Sequence, residues 1–216
     1  MSSGELEVLN KMGRRVTVHR GQTLMWEGDD SSLVANVIEG VLKLSTSTAD
    51  GREQIVGVVY PSDFIGRPFG STTHHSVTAL SDARVCLFTR SAFDEFAREH
   101  PELEHKLLQR TLTELDRTRH WMLLLGRKSA SERVATFLLE MSRRLAEASC
   151  SGPADMVSRF DLPLTRQQMA DLLGLTIETV SRQLTRLRQA GIIDLPDRRA
   201  VVILDQAAME DAAGLA

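Results

Sequence analysis

The sequence predicts an α+β protein: a β-roll, then a long helix, then a winged helix-turn-helix. Three observations predict it. Residues 16 to 88 alternate short β-branched stretches with turn residues, residues 101 to 125 repeat apolar side chains at helical spacing, and Leu164 to Leu187 reads as two capped helices around Gly174. The chain of 216 residues is 42% hydrophobic and 25% charged, which fits one or two ordinary soluble domains and excludes a disordered or collagen-like polymer. The expected boundaries are 1–100 for the roll, 101–127 for the long helix and 128–216 for the winged helix-turn-helix.

The roll comes first. Arg15-Val16-Thr17-Val18, Leu33-Val34-Ala35-Asn36-Val37-Ile38, Val41-Leu42-Lys43-Leu44, Gln54 to Tyr60, Val77-Thr78-Ala79-Leu80 and Val85-Cys86-Leu87-Phe88 read as strands. Gly21, Glu39-Gly40, Asp50-Gly51 and Pro61 punctuate them, with Asp50-Gly51 a hairpin signal. Many short strands joined by tight turns close into a small barrel or roll. No stretch reaches the ~18 apolar residues of a membrane helix, and the start Met1-Ser2-Ser3-Gly4-Glu5-Leu6-Glu7 lacks the pattern of a secretory signal. The expected location is the cytoplasm, with no membrane partner. Cys86 and Cys150 have no close-spaced partners, so neither a disulfide framework nor a zinc site is expected.

After Phe88 the period changes. Ser91 can cap a helix whose Phe93, Phe96 and Ala97 share a face, and Pro101 opens the long run to about Leu125. Leu108, Leu112, Leu115 and Met122 recur there at coiled-coil-like steps, with Arg119 interrupting the seam. So narrow a stripe suggests dimerisation; packing on the chain's own roll is the alternative. Gly126 is expected to mark a hinge. From Ala130 a second amphipathic helix carries Val134, Phe137, Leu138, Met141 and Leu145, and Ser149-Cys150-Ser151-Gly152-Pro153 reads as a loop.

Net charge is −3, but it is unevenly spread: residues 1–105 carry −5 and residues 106–204 carry +5. A basic second module admits a polyanionic partner. In Leu164 to Leu187, Thr165 caps a helix bearing Met169, Ala170, Leu172 and Leu173, Gly174-Leu175 turns the chain, and Thr176 caps a second helix. Small Ala170 lets the helices cross closely, Gly174 permits a left-handed turn, and Leu173, Leu175 and Val180 fill the shared core. Gln183 stands where an aliphatic residue would complete the packing, a contact that Leu184 could take over. Glu178, Ser181 and Arg182 project from the outward face, away from Val180 and Leu184.

That face has the chemistry to enter a major groove. Arginine donates twice to guanine, a carboxylate accepts from the cytosine amino group, and hydroxyls of Ser or Thr contact bases or phosphates. Glu178, Ser181 and Arg182 are the expected base readers, with Thr165, Thr176 and Thr179 completing the contact set. Arg186 and Arg188 lie further along and suit phosphates. A solvated helix with a Glu178 to Arg182 ion pair is the plainer alternative. Beyond it, Gln189-Ala190-Gly191 stops the chain, and Ile192 to Leu195 and Ala200 to Leu204 flank Pro196-Asp197-Arg198-Arg199 as a wing, whose tip residues Arg198 and Arg199 suit phosphates.

Roll, long helix and winged helix carrying Thr176-Ile177-Glu178-Thr179-Val180-Ser181-Arg182 together resemble the CRP/FNR family of bacterial transcription regulators over nearly the whole chain. The Glu-x-x-Ser-Arg arrangement resembles the FNR and FixK branch, as do Trp121 to Lys128 and Glu132 to Leu139. The resemblance implies a roll like a cyclic-nucleotide-binding domain, a homodimer pairing in parallel through Leu108, Leu112, Leu115 and Met122, and double-stranded DNA as partner. It further implies an inverted repeat of TTGAT-type half-sites about one helical turn, ~34 Å, apart, contact with RNA polymerase, and oxygen-linked or anaerobic gene control.

The family's rolls take different signals. Cyclic-nucleotide binders carry a Gly-Glu pair and a nearby Arg after the segment matching Pro61-Ser62-Asp63-Phe64, whereas here Ile65 to Val77 has no Glu after Gly66, and Arg67 is out of place. A buried phosphate without a paired cation is costly, so a nucleotide- or other ligand-gated regulator is the lesser alternative. An FNR-type 4Fe-4S cluster needs four thiolates. Cys86 matches the family's cysteine in the roll but the three N-terminal cysteines are absent, so a cluster would need a longer natural form of which this is a truncation. FixK-like regulators bind no effector, and the sequence as it stands implies no cofactor, with Cys86 a small buried hydrophobe. Cys150 has no basic neighbour to activate it, and His74-His75 reads as part of a polar loop. No Gly-rich phosphate loop, His-Glu-x-x-His pair or Ser elbow supports an enzyme.

Overall fold

A computed structural model of the chain describes residues 11–148 and 158–215. The expected loop at Ser149 to Pro153, with Cys150, falls outside the described residues. By internal contacts the chain forms two compact units, one ending at Arg119 and the other starting at His120. No described helix is long and apolar enough to cross a membrane.

Among its described residues the first unit holds eight strands: β1 (Arg14–Val18), β2 (Thr23–Met25), β3 (Leu33–Glu39), β4 (Leu42–Ser47), β5 (Glu53–Val59), β6 (Phe64–Gly66), β7 (Ser76–Ala79) and β8 (Ala83–Thr89). They form two antiparallel four-stranded sheets, ordered β1-β8-β3-β6 and β2-β7-β4-β5. Alternation decides which side chains meet. Val85 and Leu87 join Val18, Val37, Leu42 and Val77 inside the roll, while Cys86 and Phe88 point the other way, beneath Phe93 and Phe96. The Asp50-Gly51 turn forms as predicted between β4 and β5, with Gly51 at φ +84°.

Strands β2 and β6 escape sequence reading because three residues cannot display an alternation. Gly66 explains the end of β6: it sits at φ +97°, and a Cβ there would lie 2.8 Å from the Leu33 carbonyl oxygen. Helix α1 (Arg90–Glu99) buries Phe93, Phe96 and Ala97 as predicted, but Ser91 does not cap it. The helix follows β8 directly, so Thr89 is the N-cap residue, and the Arg90 amide is satisfied by the Ser32 carbonyl at 2.9 Å.

Helix α2 (Pro101–Arg127) runs straight through Gly126, where a Cβ would meet no atom within 4 Å. Gly126, expected to mark a hinge, therefore does not interrupt the helix, and the break between the two helices falls at Lys128 and Ser129. The break is set by the start of the next helix: the Ser129 amide donates to Glu132 Oε2 at 2.7 Å and the Glu132 amide to Ser129 Oγ at 3.3 Å, a reciprocal cap.

In the second unit, α3 (Ala130–Ala148) buries Val134, Phe137, Leu138 and Met141. Helices α4 (Arg166–Leu173), α5 (Ile177–Gln189) and α6 (Gln206–Ala212) follow, with a sheet of β9 (Arg159–Asp161), β10 (Ile193–Asp194) and β11 (Ala200–Ile203) in the order β10-β11-β9. The wing hairpin is β10-β11. Strand β9 adds one buried side chain, Phe160, too little to announce a strand in the sequence.

Candidate functional site

The geometry of α5 starts with its caps. Thr165 Oγ1 accepts from the Gln168 amide at 3.2 Å and Gln168 Oε1 accepts from the Thr165 amide at 2.8 Å, fixing the start of α4. Gly174 ends α4 at φ 62°, ψ 42°, its amide donating to Ala170 O. Two residues later Thr176 caps α5, its hydroxyl accepting from the Thr179 amide at 3.2 Å. Met169, Ala170, Leu172 and Leu173 are buried, as are Val180, Gln183, Leu184 and Leu187 of α5. Leu175, expected in the shared core, is only half-buried, whereas Gln183 and Leu184 are both buried.

With that stripe inside, helical periodicity turns Glu178 and Arg182 fully outward and leaves Ser181 half-buried between the helices. No ion pair joins Glu178 to Arg182 among the described residues, so both charges face solvent. The Glu178 carboxyl is held below the usual carboxylate range by its own backbone amide and then by the Thr176 hydroxyl. Thr176 and Thr179 hydroxyls lie 3.1 Å apart, and Arg186 and Arg188 are exposed on the last turn. At the wing, Asp197 Oδ1 accepts from the Arg199 and Ala200 amides at 2.6 and 2.7 Å. That stiffens the turn that presents exposed Arg198 and half-buried Arg199.

Two residues that sequence reasoning missed support this surface. Arg166, first residue of α4, places Nη1 3.3 Å from Ser181 Oγ. Arg133 on α3 donates to three carbonyl oxygens: Lys128 O at 3.0 Å, Leu173 O at 3.0 Å and Leu125 O at 2.7 Å. It thereby joins the C-terminal ends of α2 and α4. Lys128 Nζ similarly donates to Ala213 O at 2.7 Å beyond the end of α6. Basic residues satisfying orphan carbonyls at helix ends leave no spacing signature, because their partners are far apart in sequence.

On α2 the predicted seam is uncovered: Leu108 is 56%, Leu112 52%, Leu115 42% and Met122 69% exposed. Arg119 turns aside to Asp116 at 3.2 Å. In the roll, Cys86 is buried beside Val34, Phe88 and Phe93, and burial pushes its thiol pKa up. These residues do not fit a four-thiolate cluster. The chain has two cysteines, and among the described residues no group of three His, Cys, Asp or Glu is placed to hold a metal. A cavity of about 230 Å³ inside the roll is bordered by Phe64, Arg67, His74 and His75, with no carboxylate in its lining.

Comparison with known proteins bears on both units. Residues 15–100 match the Cyclic nucleotide-binding domain and residues 132–212 the Crp-like helix-turn-helix domain. The chain is similar to the transcriptional activator protein FnrL of Cereibacter sphaeroides, with 44% identity covering 98% of this chain and 85% of that protein. It is also similar to the nitrogen fixation regulation protein FixK of Bradyrhizobium diazoefficiens, with 39% identity covering 97% and 86%. Among solved structures, FixK2 from Bradyrhizobium japonicum superposes with a TM-score of 0.83 at 32% identity, over 93% of this chain and 96% of that one.

Proposed function

The chain belongs to the CRP/FNR family of DNA-binding transcription regulators, within its FNR and FixK branch, and from that premise we propose that it acts as a homodimer reading an inverted repeat of TTGAT-type half-sites. One observation carries this reading: a capped helix whose inner face is buried holds Glu178 and Arg182 outward, in no ion pair with each other, with half-buried Ser181 between them at the edge of that face. Arg182 suits guanine, Glu178 the cytosine amino group and Ser181 a neighbouring base edge. Thr165, Thr176, Thr179, Arg186, Arg198 and Arg199 anchor the phosphates. The uncovered Leu108, Leu112, Leu115, Met122 stripe supports a parallel helix pair that sets two reading heads one turn apart, ~34 Å.

Similarity to the transcriptional activator protein FnrL supports activation of transcription; contact with RNA polymerase and oxygen-linked or anaerobic gene control are part of the proposal, as the branch resemblance implies. The roll acts without nucleotide: its cavity offers Arg67 but no carboxylate for a ribose. The test pairs two substitutions. Arg182→Ala should lose about 1–3 kcal/mol on the proper site with little change on random DNA, whereas Arg186→Ala should weaken both. Equal losses on both DNAs from both variants would overturn the assignment.

A further inference from the structure

Arg166 and Ser181 come from different helices, yet Arg166 Nη1 lies 3.3 Å from Ser181 Oγ. A guanidinium can only donate, so in this contact the serine oxygen is the acceptor. Arg166 is half-buried and takes part in no ion pair among the described residues, so no carboxylate competes for it there. An unconstrained serine hydroxyl reads either kind of base edge, because it both donates and accepts. With a cationic donor on the oxygen, the hydroxyl hydrogen must point elsewhere and is polarised further toward donation. The same positive charge repels the hydrogens of an approaching amino group.

We propose that Arg166 is a positioning residue for sequence selection: it makes Ser181 a hydrogen-bond donor, so that Ser181 selects a base presenting a major-groove acceptor. The acceptors concerned are thymine O4, guanine O6 and purine N7; the amino groups of cytosine and adenine are disfavoured. The inference rests on α5 being the reading helix and adds the polarity of one contact and the residue that sets it. Arg166 acts through Ser181, and its substitution should therefore change a preference at one base-pair position as well as overall affinity.

The experiment is an anisotropy scan of the full chain on symmetric TTGAT-N4-ATCAA duplexes in which each half-site base pair is exchanged in turn, at fixed salt. Wild type, Ser181→Ala, Arg166→Ala, Arg166→Lys and the Ser181→Ala/Arg166→Ala double variant are compared, with folding checked by circular dichroism. Ser181→Ala should erase roughly a fivefold or greater preference at one position, that of the acceptor-bearing base. Arg166→Ala should erase the same preference, the double variant should lose nothing more there, and Arg166→Lys should retain part of it. Should Arg166→Ala fail to fold, loss of the preference in Ser181→Ala together with its partial retention in Arg166→Lys supports the inference equally. An equal drop on every duplex with the preference intact would make Arg166 a phosphate clamp and overturn the inference. So would a Ser181-dependent preference for an amino edge. A wild type without preference at any position would instead defeat the reading of α5 itself.

Discussion

Gln183 is 5% exposed, and its Oε1 has no hydrogen-bond partner among the described residues, on the face of α5 opposite the proposed reading surface. A buried carbonyl oxygen left unsatisfied costs about 1–3 kcal/mol, and an apolar side chain of similar shape removes that cost. Gln183→Leu places such a side chain beside Val180, Leu184 and Leu187, which already form the buried stripe. A net gain of about 1–2 kcal/mol would raise the melting temperature by roughly 2–8 °C for a chain of this length. The assay is scanning calorimetry of the full chain, with anisotropy on the inverted-repeat duplex alongside. Stability should rise while affinity stays within about twofold, since the substitution leaves Glu178, Ser181 and Arg182 untouched. A fall in melting temperature would mean that the amide is satisfied where it sits. A loss of selective binding would mean that residue 183 lies on the DNA side, and the assignment of faces on α5 would be wrong.

Other outcomes test the supporting parts. Arg133→Ala frees three carbonyl oxygens at once and should cost about 1–3 kcal/mol in denaturant unfolding, with Arg133→Lys recovering only part; a cost below about 0.5 kcal/mol would dismiss the clamp. Leu112→Glu sets a charge in the uncovered seam and should shift sedimentation from dimer to monomer at micromolar concentration, while an unchanged dimer would place the interface elsewhere. Cyclic AMP should leave DNA affinity unaltered, and a tenfold tightening would contradict the reading of the roll.

Much of this molecule is legible in its sequence because its elements are periodic and capped. The stripe in α5, Thr165, Gly174 and Thr176 together define a helix-turn-helix, and each behaves in the structure as its local chemistry dictates. The long helix is legible for the same reason, but its end is not. Gly126 invites a hinge, whereas the reciprocal cap between Ser129 and Glu132 sets the break just beyond it, and a helix tolerates a glycine when a stronger start signal follows. Strands β2, β6 and β9 carry three residues each, too few for a period. Arg133 and Arg166 are illegible because their partners, Leu173 and Ser181, become neighbours only once helices pack. Arginine is ordinarily a surface residue, and only the fold gives these two their roles.

The most direct test of the base-reading helix is anisotropy of the full chain, in air at fixed salt, on TTGAT-N4-ATCAA and on a scrambled duplex of equal length. Binding at least a hundredfold tighter to the inverted repeat, with two chains per duplex and no added nucleotide, is the expected result. Equal affinity for the two duplexes, falling together as salt rises, would reduce the chain to a non-specific polyanion binder and contradict the base-reading role of Glu178, Ser181 and Arg182.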